Sequence, residues 1–377
     1  MKKPVWIGAY SPGGLALPAA HPTPSQLYAP RGVFFNDEWF VVADSGNHRI
    51  LIWRGVPAAD GSPADFVLGQ PDFSSEGPKL LHLPTGVLIH EGRLIVADAW
   101  HHRVLVWNRV PSASGIGPDY AIGQPDMTAV QPNRGAATPS PASLYWPYGV
   151  GFAGGWFWIA DTGNRRVLGW KGLPQPDQPA QVILGQESGW TGEENRGRGV
   201  GARSFRWPHA IAGDAERLLV ADAGNHRVLG WSPIPMQDIE ASLALGQPDF
   251  NSASELPYFA QGPAKLRFPY NLTLEGPRLA VADTANNRIL IWDHAPQSGC
   301  GHAADHVLGQ DNFDANGENR WKAVTHDSLC WPYAIWMHAG RLAAADSGNN
   351  RVTLWDLAEL PQPESRRIPH TEEPLCV

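Results

Sequence analysis

The chain runs to 377 residues, enough for two or three ordinary domains or for one large repeat architecture, and length alone does not choose between them. Seventeen tryptophans, 40 glycines and 35 prolines beside only 18% charged residues favour many short strands with large buried rings over long helices. A net charge of -8 argues against the basic surface that a general nucleic-acid binder or a ligand of anionic membranes needs.

The N-terminus reads Met-Lys-Lys-Pro-Val-Trp-Ile-Gly, with no apolar run of signal-peptide length behind the lysines, and no later stretch approaches membrane-spanning length. Cys300, Cys330 and Cys376 are odd in number and have neither metal-ligand nor disulfide-framework spacing. The expectation is a soluble, monomeric, cytoplasmic protein in a reducing compartment.

From residue 43 the chain repeats itself. Ala-Asp-Ser-Gly-Asn-His-Arg-Ile at 43–50 returns as ADAWHHRV (97–104), ADTGNRRV (160–167), ADAGNHRV (221–228), ADTANNRI (282–289) and ADSGNNRV (345–352). Each Asp (44, 98, 161, 222, 283, 346) is followed five residues on by Arg and nine residues on by Trp. A Pro-x-x-apolar start lies upstream, as in Pro84-Thr-Gly-Val, and an apolar-Gly-Gln mark downstream, as in Leu68-Gly69-Gln70. Short β-rich runs such as Arg93-Leu-Ile-Val-Ala and Arg103-Val-Leu-Val-Trp lie between these markers, and four strands per unit is the natural count.

These copies resemble the NHL-repeat family in their Pro-x-Gly-Val start, Val-Ala-Asp strand end and Gly-Asn-x-Arg-Val turn, over residues 27 to about 355. The resemblance implies an all-β, six-bladed β-propeller, four strands per blade, as a single domain over 1–360 with a C-terminal tail at 361–377. Physical reasoning agrees, because a four-stranded unit cannot bury both faces alone and radial repetition protects its edges. The sixth copy lacks its Leu-Gly-Gln mark, whereas Val5-Trp6-Ile7-Gly8 aligns with Phe66-Val67-Leu68-Gly69, so the N-terminal segment is expected to supply the outer strand of blade six. Truncation of residues 1–10 should then lower solubility or melting temperature.

Features present in every copy read as structural. The Asp accepts backbone N–H bonds, the Gly or Asn of the turn takes a left-handed conformation, the Arg pairs with the carboxylate or with carbonyls, and the Trp packs between blades. Function is sought where the copies differ. In NHL-like propellers the residue after the Pro begins the innermost strand and faces the channel mouth, and here those residues are Arg31, Thr85, Tyr148, His209, Tyr270 and Tyr333. Trp146, Trp207, Phe268 and Trp331, just before the Pro, form an aromatic second layer. Either these rings plug the channel through water, or they hold a small polar or aromatic ligand anchored by Arg31 and His209.

The resemblance includes a lyase family that binds its metal with several His at the post-proline place, and only His209 matches, so no metal site is assigned. A tri-histidine zinc centre would need His82, His101 or His102 to reach inward, and ferric iron held by Tyr and His is the other metal reading. A lactonase-type calcium site needs inward carboxylates, and the ring has none.

Connections from the apolar-Gly mark to the next Pro span 22 (8 to 30), 15 (69 to 84), 24 (123 to 147), 23 (185 to 208), 23 (246 to 269) and 23 (309 to 332) residues. The long ones should lid the top face, and the short one should leave a notch beside Thr85. Trp100, His101 and His102 replace the usual turn there and are read as the rim of an entrance, over which a tail carrying Arg366, Arg367 and His370 could fold. Three functions follow: binding of a small molecule or protein partner at the lidded top face and central channel, placed first; a lyase or hydrolase using His209 as acid or base with Arg31, Tyr148, Tyr270 or Tyr333; and a pure interaction scaffold.

Overall fold

The structure is a computed structural model that describes residues 3–8, 21–255, 257–258 and 260–360. Six antiparallel sheets surround one axis. Blade one comprises strands Gly32–Phe35, Trp39–Asp44, Arg49–Arg54 and Phe66–Leu68, counted outward from the axis. Blades two to five repeat the plan, with inner strands Val87–His90, Pro147–Ala153, Pro208–Gly213 and Pro269–Glu275. Blade six, Pro332–His338, Arg341–Asp346 and Arg351–Asp356, is completed by Val5–Gly8, with Val5 opposite Leu354 and Gly8 opposite Arg351. The ring closes through its N-terminus. Blade four gains an unexpected fifth strand, Gly299–Cys300, which runs parallel to Leu243–Leu245.

The repeated residues explain why each unit folds alike. In blade four Asp222 Oδ2 accepts from Arg227 Nε at 3.0 Å and Asn225 Nδ2 at 2.7 Å, while Oδ1 accepts the Arg206 N–H at 2.9 Å. Arg227 spends its remaining donors on the carbonyls of Phe250, Gly201 and Ser204. Every copy has the Asp–Arg pair out of solvent, so each buried charge is both paired and hydrogen-bonded. The Gln of the Leu-Gly-Gln mark donates to the carbonyl of the turn, as Gln247 does to His226. The Trp at Asp+9 lie in clusters shared by neighbouring sheets: Trp53 shares one with Ala334 and Ala343 of blade six, and Trp231 one with Trp158 of blade three.

One turn assignment is corrected. The left-handed residue is neither the Gly nor the Asn but the one after them, His48, His102, Arg165, His226, Asn287 or Asn350, at φ 53–56°. Cys330 is a free, buried thiol, whereas Cys300 is disulfide-bonded, a pairing that the cysteine spacing did not suggest. Among the described residues no helix is long and apolar enough to cross a membrane. Arg366, Arg367 and His370 lie outside the described residues.

Candidate functional site

The post-proline residues project because the inner strand bulges there. In blades four, five and six the register passes from Pro208 opposite Asp222 to Ala210 opposite Ala221, from Pro269 to Asn271, and from Pro332 to Ala334. His209, Tyr270 and Tyr333 are the skipped residues, and in blade three Tyr148 and Gly149 are skipped together. A bulged residue leaves the ladder and re-aims its side chain.

Five of the six expected residues come together around the mouth. The Arg31 guanidinium lies 4.8 Å from the Tyr333 ring centroid, Tyr333 is 4.8 Å from Tyr270, Tyr270 stacks on His209 at 4.5 Å and 13°, and His209 is 4.6 Å from Tyr148. The circle closes electrostatically, the Arg31 charge acting on both the Tyr148 and the Tyr270 phenol and Tyr333 acting on each of them as well. Thr85 does not join. It is 2% exposed, and its hydroxyl donates to the Tyr148 carbonyl at 2.8 Å. The blade-two side of the mouth is therefore bare.

The central channel is no ligand chamber. Below the ring the inner strands leave a cavity of about 30 Å³ lined by residues such as Gly32, Gly86, Gly149, Ala210 and Asn271, room for about one water. Glycine permits this approach, since a Cβ at Gly149 would meet the His209 carbonyl oxygen at 2.4 Å. The space between the inner strands is thus small, and the convergent ring side chains lie at the mouth above it.

Electrostatics in the mouth are one-sided. Arg31 has no ion-pair partner among the described residues, and its Nε is buried without an acceptor. Burial raises the Tyr148 and Tyr270 phenols, so both stay protonated donors. Burial pulls His209 down to about 4, a hydrogen bond to the Trp207 carbonyl opposes that, and Arg31 adds to it. Nδ1–H donates to Trp207 O at 2.9 Å, so the neutral ring presents Nε2 as an acceptor. Among the described residues no three His, Cys, Asp or Glu side chains form a metal-holding group. His209 is flanked by phenols.

The second layer follows blades three to six. Trp207 stacks on Phe268 at 6.1 Å, Trp146 leans on Tyr145 and Trp100, and Trp331 donates Nε1–H to Glu318 at 3.0 Å. These pre-proline residues are held by a latch that the sequence reading missed. In five of the six blades the left-handed turn residue of the preceding blade accepts the pre-proline N–H, Trp207 being the exception: His48 Nδ1 from Leu83 at 3.1 Å, His102 Nδ1 from Trp146 at 3.2 Å, His226 Nδ1 from Phe268 at 3.2 Å, Asn287 from Trp331 at 2.9 Å, and Asn350 from Ala29 at 2.9 Å. Its only sequence signal is the run His, His, Arg, His, Asn, Asn at Asp+4.

The expected entrance is thereby corrected. His102 is an 8%-exposed latch, and His101 takes the place of the turn Asn by bonding Asp98 Oδ2 at 2.9 Å. Trp100, 40% exposed, remains at the surface, with His82 at 5.7 Å and Trp146 at 5.4 Å. The short connection borders a hollow of about 310 Å³ lined by Tyr28, Asn47, His48, Glu76 and Gly77, on the blade-one side of the expected notch.

The histidine latches predict an acid limit. Each needs a bare Nδ1, and burial holds His48, His102 and His226 below the ordinary value, His102 at about 4. The unfolded chain takes up these protons near pH 6.5 and the folded chain does not, so stability is full above that and lost as pH falls toward about 4. Melting temperature should fall across this window. His102→Asn keeps an acceptor without titrating and should flatten the slope by roughly one proton; a parallel curve would refute the latch.

A larger cavity, about 680 Å³, opens on the opposite face between blades two and three, lined by His90, Arg93, Tyr120, Phe152 and Asp214 among others. Its charges are internally matched, Arg93 with Glu91 at 3.0 Å and Asp214 with Arg217 at 2.6 Å, and His90 is stacked on Phe152 at 3.6 Å. The mouth, by contrast, combines a cation without an ion-pair partner among the described residues with convergent polar tips.

No family model matches the chain, and no curated protein matches it. Solved structures do. A structural-genomics protein of unknown function from Bacteroides thetaiotaomicron is similar at TM-score 0.52 and 10% identity, over 94% of this chain and 75% of that one. Virginiamycin B lyase from Staphylococcus aureus is similar at TM-score 0.44 and 13% identity, over 90% and 88%. A nidogen/laminin complex chain is similar at 0.43 and 15%, over 72% and 78%. At these identities the likeness concerns the fold.

Proposed function

We propose that the chain is an NHL-type propeller that binds a small anionic ligand in the mouth of its top face, between the arc of Trp146, Trp207, Phe268 and Trp331 and the bare side at blade two. One observation carries this reading. The Arg31 guanidinium stands over Tyr333 and near Tyr148 with no carboxylate partner among the described residues and with a buried, unsatisfied Nε. A partly buried cation with an unsatisfied Nε is under-solvated, and an anion supplied from outside offsets that through charge-assisted hydrogen bonds. The phenols and His209 then orient the ligand, and the aromatic arc covers its apolar part.

The test is thermal stabilisation by a panel of small carboxylates and inorganic phosphate, comparing the unaltered protein with Arg31→Ala. A binder at about 100 times its Kd adds about 2.7 kcal/mol. That gain should vanish in Arg31→Ala and shrink in Tyr148→Phe; equal shifts in all three proteins, or none in any, would reject the site. A lyase or hydrolase reading draws on His209, a neutral base of fixed tautomer beside a cation, and requires turnover that His209→Gln abolishes.

A further inference from the structure

Blade four breaks the latch pattern, and the break sits beside His209. At the Asp+4 position of blade three stands Arg165, the one turn residue of the six without a side-chain acceptor. Its Nη1 donates instead to the carbonyls of Gly163 at 2.8 Å and Gly192 at 3.1 Å. The N–H of Trp207 therefore has no latch and turns to Asp222 Oδ1 at 3.3 Å. The other pre-proline residues, Ala29, Leu83, Trp146, Phe268 and Trp331, are latched at φ 45–53°, and Trp207 alone is outside the left-handed region.

The carbonyl follows the backbone. In the other five blades the residue at Asp+2 donates its N–H to the carbonyl two places before the Pro, as Gly163 does to Tyr145 and Gly348 to Cys330. In blade four that bond is missing; Ala223 N–H donates to Trp207 O at 2.9 Å, as Ser347 N–H also does to Trp331 O at 3.2 Å in blade six, and here the same oxygen takes the His209 Nδ1–H at 2.9 Å. The structure assigns Arg165 as a positioning residue: by withholding an acceptor it frees Trp207 from the left-handed form, which turns the Trp207 carbonyl to His209 and leaves Nε2 as the acceptor at the mouth.

The consequence for recognition rests on the ligand reading above. A mouth with Arg31 as cation and His209 Nε2 as fixed acceptor selects molecules that carry both an anionic group and an N–H or O–H donor. Arg165, outside the ring, would set that second requirement.

The experiment restores the latch. Arg165→Asn and Arg165→His install the acceptors used elsewhere in the ring, and Arg165→Lys is the donor-only control. Nitrogen NMR of ¹⁵N-histidine-labelled protein, with His209 assigned by the loss of its signals in His209→Gln, reads the tautomer directly. The unaltered protein and Arg165→Lys should show Nδ1 protonated and Nε2 bare, and Arg165→Asn and Arg165→His should move His209 toward the Nε2–H form while His102 and His226 stay unchanged. A His209 spectrum indifferent to both acceptor variants, in protein whose melting is intact, overturns the assignment. Because the tautomer is read without ligand, this outcome is independent of the Arg31 test. If both hold, Arg165→Asn should also weaken the best binder of the panel by about tenfold, roughly one lost hydrogen bond to a neutral group.

Discussion

Trp6→Ala is expected to destabilise the protein by about 3–5 kcal/mol, the usual cost of emptying a large buried aromatic site. Trp6 is 0% exposed in the strand that closes blade six. Its ring lies 4.0 Å from the Arg351 guanidinium and 5.3 Å from His326 edge-on, with Val324 packed against it. Its backbone joins the strand to blade one's outer loop, through Trp6 N–H to Asp60 at 2.8 Å and Gly61 N–H to Trp6 O at 2.8 Å. The substitution thus removes core volume at the place where the ring is joined. Deleting the strand should do more, because it also bares the edge of Arg351–Asp356, a template for pairing between molecules. Chemical denaturation measures the first and light scattering the second. An unaltered midpoint in Trp6→Ala would mean that the closure contributes little.

Asp283→Ala should cost a comparable amount, about 3–5 kcal/mol, for an electrostatic reason. Asp283 accepts the Arg267 N–H at 2.6 Å on one oxygen, and Asn286 Nδ2 at 2.8 Å and Arg288 Nε at 2.7 Å on the other. Removing the carboxylate leaves Arg288 buried and charged. Arg288 still reaches the carbonyls of Phe313, Gly262 and Lys265, but carbonyls do not neutralise a cation. Asp283→Asn keeps acceptor oxygen without the charge and should fall between the two proteins. If Asp283→Ala matched the unaltered protein in a urea titration, the lock would be dispensable.

Much of this was legible in the residues because the lock is local. Asp, Asn, Arg and Trp recur at fixed offsets within one turn and its flanking strands, and the sheet forces them into the same contacts each time. Val5–Gly8 could be matched to Phe66–Gly69 because an outer strand has the same burial demands wherever it enters the chain. The ring residues could be named by comparing copies at one position, and Arg31, Tyr148, His209, Tyr270 and Tyr333 do converge.

Other features had no local signature. Thr85 occupies the ring position, yet its small hydroxyl reaches the Tyr148 carbonyl of the next blade and stays there. His102 looked like a rim residue until Trp146, 44 positions away, placed an N–H against it. Nothing near residues 299–300 announces a strand, because the partner, Leu243–Leu245, is more than fifty positions upstream. The width of the channel depended on how closely six inner strands approach at Gly32, Gly86 and Gly149.

The sequence by itself determined a ring of six, its N-terminal closure and the residues offered to the axis, since these follow from spacing and from burial repeated within each unit. Only the tertiary structure decided which of those residues remain available and in what chemical form. The reason is physical: donors such as the Trp146 and Trp207 N–H groups meet the side chain of the preceding blade only once the sheets stand side by side, and whether that side chain is His102 or Arg165 then sets the backbone, the carbonyl and the imidazole of His209 in turn.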